Sequence, residues 1–148
     1  MSALVWPIKG SLIGYVRGMS DGRVELDGGA QERDGAFVFP AADAPGQFAG
    51  SVTFLGHNGM MRVVIADPWL RADSSGAVLS IADPDDPSTR LDFARIATFD
   101  GRAASGTTLT GDGADLFFGP YVEGTVLDDP RIVGHDVTAG NEEGGLKA

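Results

Sequence analysis

The pattern of apolar and polar positions is clearest from Gly50 to Leu70, where two alternating segments flank the dipeptide Asn58-Gly59. Asn-Gly is the strongest short-range signal for a two-residue type I′ turn, because both central residues adopt a positive φ. A loop of two residues fixes the register and places His57 opposite Met60. The stretch therefore predicts a β-hairpin with a defined set of cross-strand pairs.

The two faces of this hairpin differ in character, since successive side chains point to opposite sides of a strand. The apolar face collects Val52, Phe54, Gly56, Met61, Val63 and Ile65. The mixed face collects Thr53, Leu55, His57, Met60, Arg62 and Val64. We expect the apolar face to join the core. The mixed face either meets solvent or lines a ligand, and its three apolar side chains favour the ligand.

Residues 8–19 carry apolar side chains at helical spacing, which predicts a helix, with a strand as the competing interpretation. Ser11 and Tyr15 are four residues apart and would share one face of the helix. Three glycines, also four apart, form a neighbouring stripe that would let a flat ligand or another backbone approach closely: Gly10, Gly14 and Gly18.

Short strands are predicted at 23–26, 36–39, 77–81, 90–98 and 122–127, with turn signals between them. Thr110 or Asp112 could cap a short helix that runs through Phe118. The pattern is typical of a mainly antiparallel β fold, a sandwich or curved barrel with one or two short helices. We expect one domain at 1–135 and a flexible, Gly-rich C-terminal tail at 136–148.

Composition and charge exclude several classes of partner for this protein. The chain has 148 residues, a net charge of −10 and no cysteine. The negative charge argues against nucleic acid as a partner, which requires a basic patch. There is no apolar run of about 20 residues that could span a membrane. The N-terminal residues lack a basic region followed by a long apolar stretch, so we expect a cytoplasmic protein. These features do not set the oligomeric state.

Three segments, taken in order, resemble the HtaA domain found in haem-uptake proteins of corynebacteria and related organisms. The first is Trp6-x-x-x-x-Ser11-x-x-x-Tyr15. The second is Gly50-Ser51-Val52-x-Phe54-x-Gly56-His57-x-Gly59, followed by Asp67-Pro68. The third is Leu109-Thr110-x-x-Gly113-Ala114, leading to Tyr121-x-x-Gly124-x-x-Leu127-Asp128.

This resemblance implies a site for ferric haem. By motif position, Tyr15 would ligate the iron and His57 would hydrogen-bond that tyrosine. Ser11 and Tyr121 would contact the haem propionates. The protein would then act as a haem carrier or buffer. A tyrosine axial ligand is chemically sound, because a phenolate is an established ligand of haem iron.

The residues themselves leave alternatives open. Tyr15 could be an ordinary core tyrosine, and His57 an exposed turn residue or a direct ligand. Met60 could pack on a macrocycle, ligate iron or simply fill a gap. Arg62 could pair with a carboxylate of the ligand or remain a solvated charge. A different class of function is a haem-free enzyme, an isomerase or cyclase, in which Tyr15 and His57 form an acid–base pair.

Overall fold

The computed structural model describes residues 2–117 and 119–134, which fold into eleven strands and two helices. The strands are β1 (Ser2–Trp6), β2 (Arg23–Asp27), β3 (Gln31–Arg33), β4 (Ala36–Pro40), β5 (Ser51–Gly56), β6 (Met61–Ala66), β7 (Trp69–Asp73), β8 (Gly76–Asp83), β9 (Asp86–Phe99), β10 (Ala104–Leu109) and β11 (Arg131–Gly134). The helices are α1 (Gly10–Gly18) and α2 (Gly111–Asp115). The expected tail at 136–148 and Phe118 lie outside the described residues.

The strands form three antiparallel sheets, which confirms the mainly antiparallel β prediction. Their orders are β11-β1-β4-β3, β10-β9-β8-β7 and β2-β5-β6. One hydrophobic cluster joins all three sheets to both helices. Its largest wholly buried side chains are Trp6, Phe37, Phe39, Phe48, Phe54 and Phe93. Within the described residues, neither helix has the length and apolar content to cross a bilayer.

The predicted hairpin is formed by β5 and β6, and its register is confirmed: Gly56 pairs with Met61, and Val52 pairs with Ile65. The predicted two-residue loop is wrong. Strand pairing stops at Gly56, and His57–Gly59 forms a 3-10 turn. Asn58 and Gly59 have positive φ, as an Asn-Gly turn requires, but His57 has a φ of 51° as well. The extra left-handed residue turns the backbone before Asn58, so His57 does not continue the alternation of β5.

Helix α1 confirms the prediction for residues 8–19 despite its three glycines. Leu12, Ile13 and Val16 are buried on one side and supply the packing that intrinsic propensity does not. A carboxylate oxygen of Asp128 accepts a hydrogen bond from the Gly10 N–H at 2.6 Å. A negative charge at this end of a helix complements its dipole. The C-terminal segment of the domain therefore holds the start of α1 in place.

The predicted strand at 122–127 is wrong. Its backbone folds into a turn in which the Thr125 N–H donates to the Val122 carbonyl at 3.0 Å. One isolated bridge, between Thr108 and Val126, is the remaining sheet-like contact of the segment. The last described strand is β11, which pairs with β1. The apolar pattern did not predict β1, β3, β7, β10 or β11.

Thr110 is the N-cap of α2, as one of the two sequence alternatives predicted. Its hydroxyl oxygen accepts from the Gly113 N–H at 2.9 Å and donates to the Asp92 carbonyl at 2.6 Å. We expect Thr110→Ala to lower the free energy of unfolding by about 1 kcal/mol, the usual cost of losing an N-cap hydroxyl. Urea unfolding of the apoprotein measures this. Thr110→Ser keeps the hydroxyl and should retain most of the stability; equal losses in both variants would contradict the capping role.

Candidate functional site

The side chains of Tyr15 and His57 meet where α1 faces the tip of the β5–β6 hairpin. The Tyr15 hydroxyl lies 2.7 Å from His57 Nε2, a hydrogen bond between residues 42 apart in sequence. The ring centroids are 5.9 Å apart and the rings are tilted by 46°. Tyr15 keeps 54% of its surface exposed, which is unusual for a large aromatic residue in so apolar a setting. The phenol is therefore fixed by its partner and still accessible.

A groove of about 680 Å³ opens beside this pair. The volume is within the range of roughly 300–1,000 Å³ typical of small-molecule sites. Its lining is mostly apolar, with a few polar groups, and consists of Leu12, Tyr15, His57, Met60, Met61, Val63, Phe117, Pro120 and Tyr121. The groove is thus bounded by α1, the hairpin and the segment that follows α2.

The groove lies on the apolar side of the hairpin, contrary to our expectation for the mixed face. Met61 and Val63, assigned above to the core face, form its floor. His57 reaches the same side because its positive φ turns it away from the alternation of β5. The predicted register already places Met61 and Val63 on one face of the hairpin. The error was to treat His57 as a continuation of β5, which put it on the opposite face.

Tyr121 forms the far wall of the groove. Its ring meets Phe117 edge to face, with centroids 4.9 Å apart, and Phe117 in turn touches the core residue Phe93. Burial raises the pKa of Tyr121, and the charge of an ionised Tyr15 raises it further. At neutral pH Tyr121 therefore keeps its proton and can donate a hydrogen bond. The Lys9 ammonium group lies 5.7 Å from the centre of the Tyr121 ring and adds a positive charge at this end.

Arg62 does not join this groove, and our placement of it beside His57 is corrected. Neighbouring residues of a strand point to opposite faces, so Arg62 projects away from Met61 and Val63. It lines a second groove with acidic walls, which include Asp83, Asp85 and Asp92. An acidic wall is unsuited to the role proposed for Arg62, which was to pair with a ligand carboxylate.

Ser11 and Met60 take up different positions relative to the groove. Ser11 lies one helical turn before Tyr15, is exposed, and is not among the lining residues. Met60 lines the groove at the hairpin tip with 83% of its surface exposed. Its thioether is flexible, which suits contact with ligands of imperfect fit.

The arrangement offers one strong oxygen donor in an apolar setting. Among the described residues, no group of three or more His, Cys, Asp or Glu side chains could hold a bare metal ion. The phenol of Tyr15 can instead act as a single ligand to a metal already bound in a cofactor, or as an acid in proton transfer. Either role gains from the imidazole at 2.7 Å, which can accept the phenol proton.

Comparison with known proteins agrees with this architecture. The C-terminal domain of HtaA from Corynebacterium glutamicum is 23% identical, with a TM-score of 0.71 over 88% of this chain and 93% of that one. The N-terminal domain of the same protein is 25% identical, with a TM-score of 0.69 over 88% and 94%. A domain-swapped dimer of a variant of the C-terminal domain is 22% identical, with a TM-score of 0.54 over 84% and 91%.

No curated protein matches the chain. The sequence model of the HtaA family (Htaa) matches residues 1–132, which is most of the chain and nearly all of its described part. The match spans α1, the β5–β6 hairpin and the segment around Tyr121, and therefore every wall of the groove. The chain belongs to the HtaA family.

Proposed function

We propose that this protein binds one ferric haem in the groove, with Tyr15 as axial ligand, and acts as a reversible haem carrier or buffer. The HtaA family is associated with haem transport and binding. The observation that carries the proposal is the Tyr15–His57 hydrogen bond of 2.7 Å at the wall of an apolar groove. Tyrosine is an established axial ligand of haem iron.

The residues present fit this cofactor. A porphyrin is a flat apolar ring with two carboxylates at one edge, and the groove supplies an apolar floor in Met61 and Val63. Tyr15 is exposed enough for its oxygen to reach an iron atom. When bound, haem would supply the Lewis-acidic ferric ion that favours a phenolate over a neutral phenol.

His57 can accept the proton that the Tyr15 phenol must lose in order to bind iron as a phenolate. An unassisted phenol ionises only near pH ~10, so ligation at neutral pH needs help from the metal and from a neighbouring base. The proton can move from the Tyr15 oxygen to His57 Nε2, and the resulting N–H then donates a hydrogen bond back to the phenolate. Such partners hold a metal ligand in orientation and tune its basicity.

The polar end of the groove suits carboxylates. The Tyr121 hydroxyl is protonated at neutral pH, because burial raises its pKa, and so it is a donor. The net charge of −10 would by itself repel an anionic ligand, but the Lys9 ammonium beside Tyr121 places a positive charge locally at this end of the groove. We assign Tyr121 as a propionate contact. The family resemblance implies Ser11 as a second one, although Ser11 lies outside the lining of the groove.

Exposure around the metal ligand favours exchange over permanent storage. Tyr15 and Met60, at 54% and 83% exposed, leave one side of the groove open to solvent. A haem held there could be passed on without unfolding the domain, which is what a carrier or buffer requires.

Titration of the apoprotein with ferric haem tests the proposal. We expect a saturable change in the haem absorption spectrum at one haem per chain. A protein that stays colourless after gel filtration would overturn it. In that event the same hydrogen bond favours the alternative function, a haem-free isomerase or cyclase in which Tyr15 donates to a developing oxyanion and His57 takes the proton.

Removing the partner of the ligand gives a separate prediction. We expect His57→Ala to lower the affinity for ferric haem by about 10- to 100-fold, the usual effect of deleting a hydrogen-bond partner of a metal ligand. Competition with a haem acceptor of known affinity measures the loss. Met60→Ala is the matched control, because Met60 lies at the same hairpin tip and lines the same groove. A greater loss in Met60→Ala than in His57→Ala would contradict the role given to His57.

A further inference from the structure

The hairpin tip is held by a second polar contact besides the one to Tyr15. The Asn58 N–H donates to a carboxylate oxygen of Asp21 at 2.5 Å, between residues 37 apart in sequence. Asp21 is exposed and lies in the loop that connects α1 to β2. A hydrogen bond to a carboxylate is shorter and stronger than one between neutral groups.

The backbone at the tip needs such support. His57 and Asn58 have φ values of 51° and 57°, two consecutive left-handed residues with side chains. Asn and His adopt this region more often than most residues with side chains, but each of them still carries a steric cost there. A conformation of this kind persists where the surroundings enforce it. Asp21 accepts its hydrogen bond from the Asn58 N–H, which is part of the peptide bond that joins His57 to Asn58.

The same loop also packs on the base of the tip. A Cβ built on Gly56 would lie 2.4 Å from the terminal methyl of Met19, so Met19 covers Gly56 closely. The Gly22 N–H donates to the Met19 carbonyl at 3.1 Å and closes the loop around Asp21. Helix α1 and its following loop therefore grip the hairpin tip at three points: Tyr15 on His57, Met19 on Gly56, and Asp21 on Asn58.

We propose that Asp21 is a positioning residue that holds the hairpin tip in the conformation in which His57 Nε2 faces the Tyr15 hydroxyl. Asp21 does not touch the groove and acts through Asn58 and the His57 backbone. Its effect on a bound ligand rests on the proposed haem site. Its effect on the Tyr15–His57 contact exists in the apoprotein and is independent of that site.

NMR of the labelled apoprotein tests the positioning directly. In Asp21→Ala we expect the Asn58 amide proton to move upfield and the cross-peaks between the Tyr15 and His57 rings to be lost. Asp21→Asn keeps an oxygen acceptor and should restore both. Asp100→Ala is the matched control, because Asp100 also accepts backbone N–H groups in an exposed turn, at 2.8 and 2.7 Å, away from the groove. That variant should leave both signals unchanged.

Haem binding supplies the second readout. Asp21→Ala should weaken ferric haem binding by about 10-fold, the lower end of the effect of losing a ligand's hydrogen-bond partner, and Asp21→Asn should recover most of it. Ring cross-peaks that persist in a folded Asp21→Ala would overturn the inference. If wild type binds no haem, the proposed function fails while the apoprotein spectra still decide the role of Asp21.

Hydrogen exchange covers the case in which Asp21→Ala fails to fold. In wild-type apoprotein the Asn58 amide should exchange much more slowly than an exposed turn amide, because it is held by the carboxylate. Exchange as fast as in an unstructured peptide would overturn the inference without any variant.

Discussion

Tyr15→Phe is expected to lower the affinity for ferric haem by at least about 100-fold and to abolish the absorption band of an iron-bound phenolate. The loss should exceed the 10- to 100-fold typical of deleting a partner of a metal ligand, because here the ligand itself is removed. Phe keeps the aromatic ring that lines the groove. The change therefore removes one oxygen atom and little else, and haem titration with spectra at saturation measures it.

Tyr121→Phe is the matched control, since the chain has two tyrosines and both line the groove. Deleting the Tyr121 hydroxyl should weaken binding by about 10-fold, in keeping with one lost hydrogen bond to a charged group. The spectrum of the bound haem should stay that of wild type. A wild-type spectrum in Tyr15→Phe, or loss of the phenolate band in Tyr121→Phe, would contradict the assignment of Tyr15 as the iron ligand.

Gly22→Ala is expected to lower the free energy of unfolding by at least about 3 kcal/mol. A Cβ at Gly22 would lie 1.7 Å from the Val16 carbonyl oxygen, deep inside contact distance. Forcing atoms into a packed region typically costs about 1–3 kcal/mol, and more where backbone must move. Here the end of α1 must shift away from the loop. For a domain stabilised by roughly 5–15 kcal/mol this is a large fraction, and urea unfolding of the apoprotein measures it.

Gly14→Ala, in α1 itself, is expected to have the opposite effect on stability. A Cβ at Gly14 meets nothing within 4 Å, and its position in α1 has no positive φ. Replacing an exposed helical glycine by alanine should stabilise the apoprotein by about 1 kcal/mol. Similar changes in stability for Gly14→Ala and Gly22→Ala would show that the close packing of Gly22 on Val16 does not matter.

The sequence predicted best those features that local physics decides. Alternating apolar residues around Asn58-Gly59 were enough for the register of β5 and β6, which the structure confirms. Apolar spacing was enough for α1, and Thr110 was one of the two N-cap candidates, Asp112 being the other. Each of these features depends on residues that are close together in the sequence.

Features that depend on distant residues were missed. Strand β1 forms by pairing with β11 at the other end of the domain, Ala3 opposite Val133, and no local pattern reveals such a partner. The segment at 122–127, where a strand is predicted, instead folds into a turn against Leu109, where the Gly124 N–H donates to the Leu109 carbonyl at 2.9 Å.

The candidate site combines a local feature that alternation mispredicts with a long-range contact that no local pattern reveals. Strict alternation predicts His57 on the same face as Arg62, whereas the left-handed φ of His57 places it on the side of Met61. The meeting of Tyr15 with His57 followed from the family resemblance and not from spacing, because the two residues lie on separate elements. The geometry now gives that pairing a distance of 2.7 Å.

Resonance Raman spectroscopy of the ferric haem complex tests the central claim most directly. In Tyr121→Phe the chain retains Tyr15 as its single tyrosine, so ring-deuterated tyrosine labels that residue alone. We predict enhanced phenolate vibrations that shift on deuteration and vanish when Tyr15 is also replaced by Phe. Enhanced vibrations that do not shift, or a haem complex without phenolate vibrations, would contradict iron ligation by Tyr15.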